Sequence, residues 1–212
     1  IKKNLWIAMV GIIGDYYFPQ DLFGIFEYKE LFNGKTKIEE ILYNSELGKL
    51  VKVFNFILKG ATTDVRKNIT MLSQVESPYE ILKQETKNGK FLYSVYEKIN
   101  KEYIKVLNKA KKSTSQGKLF LFVYPDSKLS LSAGLSEELK YLFPDKLVIV
   151  AREKNDYMAV SIRSNDIILP PLLKKALDGL DGYGGGHDHA VGASVNKKDF
   201  LTFIENIKKN IC

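Results

Sequence analysis

Gly182-Tyr-Gly-Gly-Gly-His-Asp-His-Ala-Val-Gly-Ala193 is the stretch on which the reading of this 212-residue chain turns. Three consecutive glycines, Gly184, Gly185 and Gly186, run into His187. Glycine serves where the backbone takes positive φ or comes close to another group. A glycine turn ending in an imidazole would offer free N–H groups and one polar side chain to a shared anion, such as a phosphate. The same run is compatible with a plain glycine loop carrying two surface histidines. His187 and His189 also have the His-x-His spacing of a metal site, with Asp188 or Asp178 as further candidates. The alternative for His189 is a hydrogen-bonded core histidine.

Outward from this run, the second half reads as a small α/β domain. Leu119 to Tyr124 and Leu147 to Ala151 are compact apolar strands, and residues 132–143 between them suit a helix. Tyr157 to Arg163 alternates as a third strand. Met158, Val160 and Ile162 point one way, while Ala159, Ser161 and Arg163 point the other. Pro170-Pro171 opens a helix through Leu180. Ala190 to Val195 is a fourth strand, and Asn196 with Asp199 signals the start of a last helix striped by Phe200, Phe203, Ile204 and Ile207. If the glycine turn lies at the same sheet edge as the third strand, Ser161, Arg163 and His187 would surround one phosphate, with the arginine supplying a planar fork for its oxygens.

The first half is helical in pattern. Leu5 to Gly14 is an apolar run allowed as helix or buried strand, and it ends at Asp15, with Pro19 just beyond. Residues 20–32, 45–59, 62–73 and 78–84 read as helices, and Ser77-Pro78 marks a helix start. Residues 90–112 form the clearest helix, with Phe91, Val95, Ile99 and Tyr103 four apart, Leu92, Tyr96 and Val106 beside them, and lysines 98, 101, 105 and 109 opposite. The polar segment Lys111 to Gly117 reads as a linker.

Composition bounds the rest. Hydrophobic residues make up 45% of the chain, which excludes global disorder. The net charge of +7 favours anionic partners, nucleic acid first, although lysine-rich proteomes produce basic proteins without one. A single cysteine, Cys212, excludes a disulfide framework and a thiolate zinc site within the chain and points to a reducing cytoplasm. No apolar run is long enough for a membrane span. The chain starts at Ile1, which reads as the interior of a longer or processed protein. No nucleophile elbow, Walker loop or HExxH motif occurs.

Taken together, Val160-Ser-Ile-Arg-Ser164, Gly184-Gly-Gly-His187 and Ala190-Val-Gly-Ala193, in this order, resemble the DHH phosphoesterase superfamily, which includes RecJ-like nucleases, and are most similar to its archaeal members. Gly11-Ile-Ile-Gly-Asp15 with Pro19 resembles that family's fourth catalytic motif, and Glu76-Ser-Pro-Tyr-Glu80 its bridging region. The resemblance implies an α/β fold in three parts. Residues 1–88 would be the helical C-terminal part of a DHH catalytic domain, 89–114 a linker helix, and 115–212 a small mixed-sheet DHH-associated domain. It implies Asp15 as a catalytic metal ligand. Ser161, Arg163, Gly184, Gly185, Gly186 and His187 become substrate contacts, with Ser164 and His189 as additional ones. Two Mn²⁺ or Mg²⁺ ions are implied, most of whose ligands belong to motifs missing here. The implied substrate is single-stranded DNA or RNA or a short oligonucleotide, with no membrane, a separate or upstream DHH catalytic portion as partner, and homo-oligomers allowed. Related Gly-Gly-His domains act as non-catalytic RNA-binding modules of alanyl-tRNA synthetases, and a cyclic-dinucleotide phosphodiesterase is a further alternative.

Overall fold

The computed structural model describes residues 4–113, 117–126 and 129–211. Two compact units make up the chain, Ile1–Glu102 and Tyr103–Cys212. No helix among the described residues is long and apolar enough to cross a membrane.

The first unit is helical. The apolar run at its start is helix α1 (Leu5–Gly14), which buries Trp6, Met9, Val10 and Ile13. Their spacing of three and four decides between helix and strand, because only a helix brings those four side chains to one side. Trp6 meets Phe54 edge to face at 5.8 Å. Residues 20–32 are not one helix as the sequence pattern suggests. A single turn, α2 (Gln20–Phe23), stops at Gly24, and a 3-10 turn follows at Lys29–Phe32. The chain doubles back so that Phe18, Phe23 and Phe26 all contact Phe32 at centroid distances of 5.1 to 5.9 Å. Helix α3 (Ile38–Asn44) has no counterpart in the sequence reading.

Helix α4 (Glu46–Ile57) starts where Ser45 Oγ accepts from Gly48 N at 3.0 Å. Helix α5 (Thr62–Leu72) is held to the end of α4 by the buried Asn68, whose Nδ2 donates to Ile57 O at 2.7 Å. Helix α6 (Pro78–Leu82) opens with the expected signal: Ser77 caps it, and the Glu80 carboxylate accepts from Ser77 N and Glu76 N. Helix α7 (Lys87–Lys111) buries Leu92, Tyr96, Ile99, Tyr103 and Leu107. The buried line is thus displaced by one residue from Phe91 and Val95, which lie half-exposed beside it. Of the expected linker, Thr114, Ser115 and Gln116 lie outside the described residues, as does Cys212.

The second unit is built on a five-stranded sheet: β1 (Leu119–Tyr124), β2 (Leu147–Lys154), β3 (Tyr157–Arg163), β4 (Gly182–His187) and β5 (Ala190–Asn196). The spatial order is β1-β2-β3-β5-β4, with β1 and β2 parallel and every other pair antiparallel. Helix α8 (Ser132–Leu142) connects the parallel pair, as a parallel connection requires, and lies over β2 and β3. Helices α9 (Leu169–Leu177) and α10 (Phe200–Ile211) cover the other face. There Ile149, Val160, Ile162, Val191 and Val195 pack with Leu172, Leu173, Phe203 and Ile207 as one apolar core. Burying side chains of this size contributes about 1.5–3 kcal/mol each relative to exposure. Helix α9 ends at Leu177 rather than Leu180, because Gly179 turns the chain at φ +71°.

The glycine run is the main correction. Gly184, Gly185 and Gly186 form not a turn but half of β4, the edge strand, paired residue for residue with β5. The turn is the next dipeptide, Asp188-His189. Glycine is needed for close approach. A Cβ on Gly184 would lie 2.5 Å from Gly192 O, and one on Gly186 would lie 2.3 Å from Ala190 O.

Candidate functional site

Strand register assembles the candidate residues. Arg163 on β3 pairs with Ala190 on β5, and Ala190 pairs with His187 on β4. Directly paired residues share a face of the sheet, so Arg163 and His187 flank one small side chain across two strand spacings, about 10 Å. One row along, Ser161 pairs with Gly192 and Gly192 with Gly185. Ser161 and Arg163 therefore face the same side as His187 and Gly185, opposite the apolar core. Ala190, Gly192 and Gly185 leave the surface between them low.

Arg163 is held rigidly. Its Nε pairs with the Glu137 carboxylate on α8, and Nη1 donates to Ile162 O at 2.9 Å and Val191 O at 3.2 Å. The guanidinium carries five N–H donors in a planar fork. Among the described residues, Nη2 has no partner, so one arm of the fork remains available. Lys140 Nζ lies 3.1 Å from the second oxygen of Glu137, so two cations meet one carboxylate. The Ser161 hydroxyl is half-buried and makes no hydrogen bond among the described residues. His187 is exposed. A free guanidinium arm, a free hydroxyl and an imidazole on one side of one sheet suit an oxyanion with several acceptor oxygens.

Two backbone hydrogen bonds fix the hairpin tip that carries His187. Ser164 N donates to His189 O at 3.3 Å and Leu169 N to Asp188 O at 2.8 Å. Ser164, an additional substrate contact implied by the resemblance, has local backbone partners. It is 3% exposed, and its Oγ accepts from Asp166 N at 3.3 Å and Ile167 N at 3.1 Å, shaping the loop that leads to α9. His189 is exposed, not a core histidine.

Asp15 belongs to the other unit. It caps the C-terminus of α1, with its backbone N donating to Gly11 O at 3.0 Å, and its side chain is exposed. The next residue, Tyr16, is held at φ +61°, an uncommon conformation for a bulky side chain. Among the described residues no group of three or more His, Cys, Asp or Glu side chains converges on a common point. Among the described residues, neither Asp15 nor the His187/His189 pair therefore has the further donors of a metal site, since structural and catalytic sites take at least three protein ligands.

Two participants go unnamed in the sequence reading. Glu137 is one of two adjacent glutamates in a helix remote from Arg163 in sequence, and nothing local marks it. Tyr183 was legible: once 182–187 is a strand, period two puts it on the face of Gly185 and His187.

A family model for the DHHA1 domain matches residues 88–211. No curated protein matches the chain. RecJ in complex with Mg²⁺ from Thermus thermophilus superposes with a TM-score of 0.57 at 16% identity, over 99% of this chain and 34% of that one. The DHH domain of a protein described as a member of a ribosomal-protein family gives 0.58 at 15% identity, over 99% and 50%. A pGpG-specific phosphodiesterase from Vibrio cholerae gives 0.55 at 14% identity, over 91% and 67%. The chain thus spans about a third of the RecJ structure and half of the ribosomal-family one. At these identities the likeness is one of fold. With the family model matching more than half of its length, the chain belongs to the DHHA1 domain family, the DHH-associated domain of the DHH superfamily.

Proposed function

We propose that the β3–β5–β4 face binds the terminal phosphate of a single-stranded nucleic acid or short oligonucleotide, as the substrate-binding portion of a metal-dependent DHH phosphodiesterase. The carrying observation is the row Arg163–Ala190–His187 with the unpartnered Ser161 hydroxyl beside it. In this reading Arg163 Nη2 and Ser161 Oγ donate to non-bridging phosphate oxygens. His187 closes the far side, donating when it carries a proton on the facing nitrogen. The glycines of β4 and β5 keep side chains out of the phosphate's way. The net charge of +7 and the exposed lysines 98, 101, 105 and 109 of α7 favour a polyanion.

The proposal assigns residues 1–88 to the end of the catalytic domain, 89–114 to the linking helix and 115–212 to substrate binding. Mn²⁺ or Mg²⁺ would supply an activated water and a clamp on the phosphodiester. RecJ has been solved with each of these ions. In this chain only Asp15 corresponds to such a ligand, so no hydrolytic step is assigned to the chain's own residues. The dinucleotide named for the Vibrio relative represents the smallest ligand of the class.

The test uses a protein in which this chain accompanies its DHH motifs. Arg163→Ala and His187→Ala should each lower turnover of 5′-phosphorylated oligonucleotides by two orders of magnitude or more, about 2.7 kcal/mol or more of lost transition-state stabilisation, with circular dichroism unchanged. Wild-type turnover in both variants overturns the reading.

A further inference from the structure

The face that carries Arg163 and His187 continues along β4 to a feature that phosphate binding does not use. Tyr183 is 74% exposed, in an edge strand otherwise made of glycine up to His187. Its phenol makes no hydrogen bond, ring contact or ion pair among the described residues. Its row neighbours are Ser194 and Ala159, both small. Beside the ring, Tyr183, Gly184, Gly185, Gly192, Ala193 and Ser194 line a shallow, open groove of about 380 Å³. The groove floor is backbone, because Gly185 and Gly192 present nothing above it.

Spacing relates the groove to the phosphate row. Tyr183 and His187 lie four residues apart on one strand face, about 13 Å, with the Gly185–Gly192–Ser161 row midway. A phosphate bound at Arg163, Ser161 and His187 would project its sugar and base along the strand toward Tyr183, over the glycine floor. A second depression, about 510 Å³ between α9 and β4, also borders Tyr183. Its charged lining is Lys174 and Asp178, which offset each other, and the rows containing Arg163 and Ser161 face the other side of the sheet.

We infer that Tyr183 is the stacking wall for the base of the terminal nucleotide whose phosphate Arg163 and His187 hold. This rests on the phosphate reading and makes the ligand a nucleotide rather than any phosphomonoester. A lone exposed aromatic in a backbone-floored groove suits base stacking, which accepts every base because each has a π-face. Among the described residues the only side-chain donors or acceptors lining the groove are Ser194 and the phenol of Tyr183 itself, so the site selects a base over no base and discriminates little among bases. Glycine on both strands is what gives the base access. A side chain at 185 or 192 would fill the slot that the ring walls.

The experiment is a cycle of variants and ligands on the 212-residue chain. Binding is measured by fluorescence anisotropy in competition format for three unlabelled ligands: a 5′-phosphorylated dinucleotide, the same dinucleotide with a 5′-hydroxyl, and a 5′-phosphorylated dinucleotide abasic at the first position. Tyr183→Ala should weaken the intact dinucleotide about tenfold, the scale of one base–aromatic stack, and leave the abasic one unchanged. Tyr183→Phe should match wild type. Tyr183→Trp should bind as well, with its indole emission quenched by the intact ligand and not by the abasic one. Equal affinities of wild type and Tyr183→Ala for the intact dinucleotide, while Arg163→Ala still abolishes the preference for the 5′-phosphate, overturn the stacking inference and leave the phosphate site standing. An Arg163→Ala variant that keeps the full phosphate preference overturns the phosphate reading and the inference with it. Circular dichroism confirms that Tyr183→Ala, altered at an exposed position, keeps its fold.

Discussion

Alanine substitution along β4 separates glycine as a structural requirement from glycine as an open floor. At Gly184 an added Cβ would lie 2.5 Å from Gly192 O, 2.9 Å from Ala193 Cβ and 3.0 Å from Ala193 Cα. Two of these three atoms belong to the backbone of the partner strand, so relief requires β4 and β5 to separate. Overpacking of this kind costs about 1–3 kcal/mol. At Gly186 the Cβ would lie 2.3 Å from Ala190 O and 2.8 Å from Val191 Cα, at φ +150°. Backbone strain of about 1–3 kcal/mol adds there, giving roughly 2–4 kcal/mol if part of the clash relaxes. At Gly185 nothing lies within 4 Å. Gly185→Ala should be neutral or up to about 1 kcal/mol stabilising, through reduced freedom of the unfolded chain. Since β4 is an edge strand, the loss at 184 and 186 should be local: amides of β4 and β5 lose exchange protection before those of β2. Urea unfolding with hydrogen exchange measures both. A Gly184→Ala variant within about 0.5 kcal/mol of Gly185→Ala, with the hairpin amides still protected, refutes the argument. Gly185→Ala should at the same time weaken nucleotide binding, because its methyl enters the groove floor.

Glu137→Ala strips the carboxylate from an arginine whose side chain is 13% exposed. Breaking a fully buried pair costs about 3–5 kcal/mol. With Glu137 22% exposed and partly screened, about 2 kcal/mol is expected, and urea unfolding indistinguishable from wild type would contradict it. Tyr79 donates to the Glu30 carboxylate, and that hydrogen bond, with desolvation second, pushes its phenol up to about 12. The folded state keeps this proton longer than the unfolded one. The contact's contribution is therefore complete below about pH 10 and fades as pH rises toward about 12; a Tyr79 ring-carbon titration by NMR with its midpoint near 10 would rule this out. The isolated chain should show no Mn²⁺-dependent hydrolysis of oligonucleotides, since Asp15 alone cannot hold two ions. Cleavage by the purified 212-residue chain, abolished by Asp15→Ala, would disprove that.

Much of the fold was legible because its signals are local. Ser77-Pro78 opens α6 through a cap built within four residues. The alternation from Met158 to Ile162 faces the core as period two requires, and the stripe of Phe200, Phe203, Ile204 and Ile207 is buried. Where the sequence pattern misleads, a contact distant in the chain is responsible. Residues 20–32 have helical composition, but Phe18, Phe23 and Phe26 gather on Phe32 only if the chain bends at Gly24. On α7 the sequence pattern names a broad apolar face that includes both Phe91/Val95 and Leu92/Tyr96; contacts such as the Phe56–Tyr96 stack decide that the second pair is the covered edge.

Sequence alone determined which chemistry is available: an arginine and a serine on the polar side of one strand, a glycine run ending in histidine, and one aspartate after an apolar run. It could not determine that the glycines are an edge strand, since a glycine run is equally a turn until a partner strand is known. Tertiary structure decided that. Pairing β4 with β5 and β5 with β3 converts residues 24 apart in the chain, Arg163 and His187, into members of one row. It also assigns Arg163 its fixed partner, Glu137, and Ser164 to the loop. Side-chain identity is carried by the chain itself, whereas register and approach distance exist only once strands are paired, and the proposed anion site consists of register.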